Sequence, residues 1–260
     1  MLKYWTVFKL TIKEYFVYRL NFLLWRLRVF LSYLVIFFIW LTVFESKTNF
    51  ASYNKALLLT YLLISNLISS FVLGTRTADI GAEINSGKII NLLLKPISFF
   101  KYYLTLDLAD KFLNFFCAFF EITLLVIIFK IPIIDLKNPL LFLIFFINGV
   151  AISFFLSLII SFLGFWTTET WAPRFIFTTL IFFLSGAYFP LDLLPFNLYF
   201  FFLISPFPYL FYLPTKILIG KIDQLIYFQF IMSFIWVLLS YKISYKMWVN
   251  GNKSFSFFGR

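Results

Sequence analysis

Histidine is absent from the 260 residues, and cysteine occurs once, as Cys117. Without imidazole there is no histidine metal ligand or general base, and a lone cysteine cannot close a disulfide within the chain. Cys117 sits inside an apolar run and reads as a small buried hydrophobe. Charge is scarce too: 13% of residues are Asp, Glu, Lys or Arg, with 11 acidic against 22 basic. Catalysis would have to rest on carboxylates such as Asp110 and Glu121, on serines or on lysines, and no compact set of them is found. An enzyme is therefore not expected.

A phosphate-binding loop is also missing. The pattern G-x-x-x-x-G-K-[ST] puts backbone amides around phosphates and a hydroxyl on the metal. Here five residues, "AEINS", separate Gly81 from Gly87, and Lys88 is followed by Ile89. With one residue too many and no hydroxyl, the chain is expected to bind neither ATP nor Mg, and no cofactor or metal is assigned to it.

What remains is apolar. Hydrophobic residues make up 62% of the chain, 24% are aromatic, and the mean hydropathy is +0.95. Soluble domains hold roughly 45–50% apolar residues, so the composition specifies an all-α integral membrane protein in contact with a lipid bilayer. A bilayer core needs about 20 apolar residues per helix. Six spans are predicted, at Phe22–Phe44, Ala56–Leu73, Phe112–Phe129, Leu140–Phe165, Phe175–Phe189 and Leu225–Tyr241. The fifth is short and could begin before Pro173. The first is preceded by nearly thirty residues and followed by "FESKTNF", so it is expected to stay as an anchor and not to be cleaved as a signal.

The net charge of +11 would suggest nucleic acid in a soluble protein. Sorted by loop, it follows the positive-inside rule instead. With the N-terminus inside, the cytoplasmic segments collect most Lys and Arg, including Arg26, Arg28, Arg76, Lys88, Lys95, Lys111 and Arg174. The external ones hold Lys47, Lys55, Lys130, Lys137, Lys216 and Lys221. Both termini are thus expected in the cytoplasm, with no nucleic-acid partner.

Residues 1–20 repeat with helical period: Trp5, Phe8, Ile12, Tyr15 and Phe16 share one face, while Lys3, Thr6, Lys9, Lys13 and Glu14 share the other. That predicts an amphipathic helix lying in the membrane interface. In the fourth span Gly149, Ser153, Ser157 and Ser161 recur every fourth residue, a spacing that lets a second helix approach closely. Asp107, Asp110, Asn114 and Glu121 fall on one stripe of a helix entering the third span. An ionised Glu121 deep in the bilayer would cost about 2.5–3.5 kcal/mol, so it is expected to be protonated, paired or wet. Asn114 and Glu121 are candidates for packing or for a substrate path.

The polar stretch "ADIGAEINSGKIINLLLKPIS", residues 78–98, interrupts the apolar pattern after the second span. It reads as a helix from about Thr77 to Asn85, a break at "NSG" with Gly87 at positive φ, and an apolar piece stopped by Pro96. Its residues Glu83, Ile84, Gly87, Lys88, Leu93 and Pro96 carry the pattern E-I-x-x-G-K-x-x-x-x-L-x-x-P. With the helix before the first span, "SGAYFPLDLLP", "PFPYLFYLPTKILIG" and a W-x-x-G at Trp248 to Gly251, this resembles the permease subunits of type-2 ABC exporters along essentially the whole chain.

The resemblance implies a single transmembrane domain over 1–260: an elbow helix at 1–20, a cytoplasmic coupling segment at 75–111, and an external segment at 190–224 with short re-entrant helices before the last span. Asp79, Gly81, Glu83, Ile84, Gly87, Lys88, Lys95 and Pro96 would dock a separate ABC-type ATP-binding subunit, which carries the ATP and Mg. Gly186, Pro190, Pro195, Pro206, Pro208 and Pro214 would shape the re-entrant part. The chain would sit in the cell (inner) membrane, pair with a second permease copy, identical or related, and move an apolar or amphipathic substrate outward. The alternative is an ion-coupled secondary carrier that uses Glu121 as its proton site.

Overall fold

The computed structural model describes residues 2–46, 49–131 and 135–254; Lys47, assigned from the sequence to an external segment, lies outside them. Helix α1 (Leu2–Val17) is followed after one residue by α2 (Arg19–Ser46). A two-stranded hairpin, β1 (Asn49–Phe50) and β2 (Tyr53–Asn54), pairs Asn49 with Asn54 and Phe50 with Tyr53, with Ala51 at φ 50° in its turn. Asn54 then caps α3 (Lys55–Val72), its side chain accepting a 2.8 Å bond from the Leu57 amide. The short helices α4 (Asp79–Asn85) and α5 (Ile90–Leu93) precede α6 (Phe99–Phe129). Next come α7 (Pro139–Phe162), which starts on a proline, and α8 (Trp171–Leu184). Two more short helices, α9 (Phe196–Ile204) and α10 (Tyr212–Leu218), lead to α11 (Ile226–Ser254).

Among the described residues, five helices are long and apolar enough to cross a membrane: α2, α3, α6, α7 with the turn that follows it, and α11. The fifth predicted span is different. In place of Phe175–Phe189 the chain forms α8, which does begin before Pro173 but has 14 residues. At 1.5 Å per residue that is about 21 Å, short of a hydrocarbon core of about 30 Å. The helix stops because Gly186 turns the chain at φ 75°, held there by the Tyr61 hydroxyl donating to the Gly186 carbonyl at 2.6 Å.

The third span is longer than its apolar run suggests. Residues 99–111 of the predicted coupling segment are the first turns of α6, continuous with the span, and their polar stripe is buried against the N-terminal part of the chain. The short element between α3 and α6 therefore ends near Ser98.

Helix α1 forms, but the aromatic face read from the sequence is divided. Tyr4, Val7, Phe8, Thr11, Ile12 and Tyr15 turn toward the protein, along α6, whereas Trp5 and Phe16 are 55% and 68% exposed. The Phe8 ring meets Phe112 edge-on at 6.1 Å.

The main core lies between α3, α7 and the segment from Tyr199 to Ile219, in which Tyr209–Ile217 are all buried. Each proline of that region opens a short element: Pro190 before the turn Leu191–Leu193, Pro195 before α9, Pro206 before Phe207–Tyr209, with Pro208 inside that turn, and Pro214 in the first turn of α10. A missing N–H costs nothing there, because the first amides of a helix have no intrahelical acceptor.

The stripe on α7 packs against backbone. A Cβ on Gly149 would stand 2.7 Å from the Tyr209 carbonyl oxygen. Ser153 donates to the Val72 carbonyl at 2.8 Å, and Ser161 to Thr77 at 2.5 Å, while Ser157 supplies its carbonyl to Arg174.

Two lysines are not the solvated loop charges their positions suggest. Lys111, assigned to a cytoplasmic segment, is 0% exposed on α6 and pairs with Asp107 at 2.6 Å. Lys216, assigned to an external one, is buried on α10 between Asp192 at 3.0 Å and Asp223 at 2.6 Å.

Candidate functional site

Seven residues are too few for a helix to be stable by itself, so α4 must be held by what it packs on. Ile80 and Ile84 from α4, and Ile89 and Leu92 around α5, are buried in a second apolar core with Phe99, Tyr103, Phe154, Leu158, Phe162 and Phe165. Four such side chains contribute roughly 6–12 kcal/mol relative to exposure, taken at about 1.5–3 kcal/mol each. Trp248 of α11 closes this core by stacking on Phe99 at a centroid distance of 3.9 Å. Gly251 explains the rest of the W-x-x-G: a Cβ there would be 2.2 Å from the Phe165 ring.

Backbone contact fixes α4 laterally. Gly164, in the turn after α7, lies so close that its Cβ would come 2.8 Å from the Gly81 carbonyl oxygen, and a Cβ on Gly81 would come 3.0 Å from Thr170. Glu83 accepts a hydrogen bond from the Tyr103 hydroxyl, and the Asn85 amide donates to the Thr168 carbonyl at 2.9 Å. Gly87 has φ 72°, as its place in the "NSG" break demanded, and the Ile89 amide returns to the Glu83 carbonyl at 3.2 Å. Helix α1 closes the far end: Lys3 donates to the Pro96 carbonyl at 2.6 Å.

The outer side of this element is left to solvent. Ala82, Ser86, Lys88, Asn91, Leu94, Lys95 and Pro96 are exposed, Leu94 by 80%. Beside it runs a groove of about 440 Å³ between Glu14, Arg76, Asp79, Glu83, Lys88 and Tyr102. Partial desolvation raises the Asp79 carboxyl above its ordinary range, and the guanidinium groups of Arg76 and Arg174 pull it back part of the way. For Arg76 burial works against the charged form, but Tyr15 and Glu14 more than offset it and its pKa is raised.

Below α4 the acidic stripe of α6 is fully engaged. Asp107 lies against Gly74, whose Cβ would collide with its carboxylate, and pairs with Lys111 one turn on. Asp110 accepts from the Thr75 amide at 2.6 Å, the Thr75 hydroxyl at 2.8 Å, the Tyr15 hydroxyl at 2.6 Å and the Asn114 amide at 2.7 Å. Glu121 receives Arg26 of α2 through Nε at 3.0 Å and through Nη2. Sequence reasoning found Glu121 and asked for a partner but left Arg26 among the loop charges. The signal was available, since Arg26 lies inside the predicted first span and an arginine there needs a carboxylate.

At the opposite end of the molecule sits a network that the sequence reading missed. Besides its two aspartates, Lys216 donates to the Tyr212 hydroxyl at 2.8 Å. The Tyr53 hydroxyl donates to Asp192 at 3.0 Å, and Tyr199 and Gln229 donate to Asp223. These bonds join the hairpin, the proline-rich segment and the start of α11. Acids 31 residues apart, Asp192 and Asp223, give no local pattern by which to find it.

Among the described residues no group of three or more Cys, Asp or Glu is arranged to hold a metal. Residues 30–259 match the family model described as ABC-2 family transporter protein. No curated protein matches the chain.

Proposed function

The chain belongs to the ABC-2 family of transporter proteins and is a membrane permease of an ABC transporter; we propose that it is the exporter type, driven by ATP hydrolysed on a separate subunit. Two copies of this chain, or this chain and a related one, form the membrane part in the cell membrane with both termini in the cytoplasm. ATP and Mg stay on the partner, and the substrate is apolar or amphipathic.

The observation that carries this reading is the α4–Gly87–α5 element. One side is cemented by its own apolar core to α6, α7 and α11, and the other presents Lys88, Leu94 and Lys95 to solvent. An element so built moves with three membrane helices and offers a partner a mixed apolar and basic surface. Closure of the ATP-binding subunits pushes on it, and the helices shift together. Gly81, Ile84 and Glu83 face inward and hold the element, while Lys88, Lys95 and Pro96 lie on the contact side; Asp79 lines the groove between. The segment from Gly186 to Pro214 forms the re-entrant part on the far side. The engagement of Glu121 by Arg26 argues against the ion-coupled carrier, because the carboxyl that reading needs is already bound.

The test is purification of the native chain in mild detergent with identification of what remains bound. A nucleotide-hydrolysing subunit is expected, and Lys88→Glu with Leu94→Glu is expected to release it while the permease stays folded. A chain that purifies without such a subunit, or that keeps it in the double variant, overturns the coupling assignment.

A further inference from the structure

Between α2, α3 and α8, near the end of the bundle that carries α4, lies a cavity of about 270 Å³. Its lining includes three arginines, Arg26, Arg28 and Arg174, and no aspartate or glutamate. Arg26 is matched by Glu121. The other two have no such match: neither Arg28 nor Arg174 has a carboxylate within ion-pair distance among the described residues.

Arg174 is half-buried in the first turn of α8 and is anchored through Nη2 alone, which donates to the Thr77 carbonyl at 3.3 Å, the Ser157 carbonyl at 3.2 Å and the Ser161 hydroxyl. The rest of its fork has no partner among the described residues, and the Arg28 guanidinium has none at all there. Arg28 is exposed at the rim and Arg174 is half-buried, with only Asp79, outside the lining, acting on its charge, so the cavity carries an excess of positive charge that an anion would offset. The guanidinium fork suits the paired oxygens of a phosphate or a carboxylate. The remaining wall is mixed: small polar side chains such as Ser69, Ser70, Asn114 and Thr178 lie on one part of it, and Trp25, Val29, Phe177, Ile181 and Phe182 give it an apolar part.

We propose that this cavity binds the anionic headgroup, phosphate or carboxylate, of an amphiphile whose hydrocarbon part lies along Trp25, Val29 and Phe177. Resting on the exporter reading, this names the substrate class. It also gives the site a route to the coupling element, because the guanidinium that meets the anion holds the Thr77 carbonyl, two residues before α4 begins.

The test uses the full chain in nanodiscs of phosphatidylcholine, titrated with a dansyl-labelled undecanoate and with its uncharged methyl ester. The acid is expected to bind at least about tenfold more tightly than the ester, and Arg28→Gln and Arg174→Gln each to weaken it about tenfold, the size of one charge-assisted contact. Displacement by short-chain phosphatidate identifies a membrane lipid headgroup as the natural source; displacement by dodecyl phosphate alone identifies a single-chain amphiphile. Equal binding of acid and ester, or unchanged binding in both variants, overturns the proposal. Should Arg174→Gln fail to fold, Arg28→Gln decides alone, since that side chain holds nothing else in place. No ATP-binding subunit takes part, so failure here leaves the permease reading standing, and failure of the co-purification leaves this result standing.

Discussion

Arg26 on α2 grips both carboxylate oxygens of Glu121 on α6, 95 residues further along the chain, with the arginine only 5% exposed. Its Nη1 also reaches toward Asn114 at 3.5 Å. Further along α2, Tyr33 bonds Ser69 at 2.6 Å and the Trp40 indole donates to the Tyr188 carbonyl at 2.9 Å.

Removing one partner of such a pair leaves the other charge buried and uncompensated, which costs about 3–5 kcal/mol. Arg26→Leu and Glu121→Leu are each expected to lower the thermal unfolding midpoint of the detergent-solubilised chain strongly. The double variant should recover most of the loss, because the desolvation cost disappears with both charges. Equal destabilisation in the double variant would mean that the pair does more than neutralise itself.

Gly164 and Gly81 meet backbone to backbone, so bulk at either position must push α4 away from the turn after α7. Gly164→Val is expected to loosen the α4–α5 element at a cost of about 1–3 kcal/mol. Limited proteolysis should then cut within residues 86–95 faster than in the unsubstituted chain, while the transmembrane part remains protected.

Gly87 occupies the left-handed region, where a Cβ costs roughly 1–2 kcal/mol. Open space surrounds it apart from a 3.9 Å approach to Ile90, so the cost of Gly87→Ala is conformational and not steric. Gly87→Asn should lose less than Gly87→Ala, asparagine being the residue that tolerates this region best after glycine. Hydrogen exchange at the Ile89 and Ile90 amides would rank the three.

At the far end, burial alone would raise the Asp223 carboxyl, but Lys216, with hydrogen bonds from Tyr199 and Gln229, holds it below its ordinary range. Asp192, Lys221, Tyr53 and Tyr212 complete the charged and titratable surroundings. A carboxyl depressed in the folded state adds stability above its unfolded pKa, near pH 4, and loses that contribution as pH falls through the folded value. The unfolding midpoint is therefore expected to drop below about pH 4, and Asp223→Asn to start lower at neutral pH and fall less on acidification.

The membrane character, the five long helices and the break at Gly87 were legible in the sequence because each follows from local composition or from a single special residue. What was not legible depends on partners. Helix α6 reaches back to Phe99 because Asp107, Asp110 and Lys111 find buried mates in Gly74, Thr75 and one another, and an apolar window does not count a satisfied charge. Trp5 and Phe16 share a face with Phe8 by angle, yet the side that α6 covers is centred on Thr11. Leu94 and Lys95 were visible as residues, but their exposure followed only once Ile80, Ile84, Ile89 and Leu92 were seen turned the other way.

Helix α6 runs unbroken for 31 residues, about 46 Å of rod at 1.5 Å per residue, against a hydrocarbon layer of about 30 Å. Its first turns carry the apolar core under α4, and its last turn ends at Lys130 in a left-handed cap. With no proline, glycine or other interruption along it, a sideways displacement at Phe99 is not absorbed by bending. It becomes a tilt about whatever point neighbouring helices hold fixed, and the Phe129 end swings the opposite way. A small inward movement on one side of the bilayer is thereby returned as an outward one on the other.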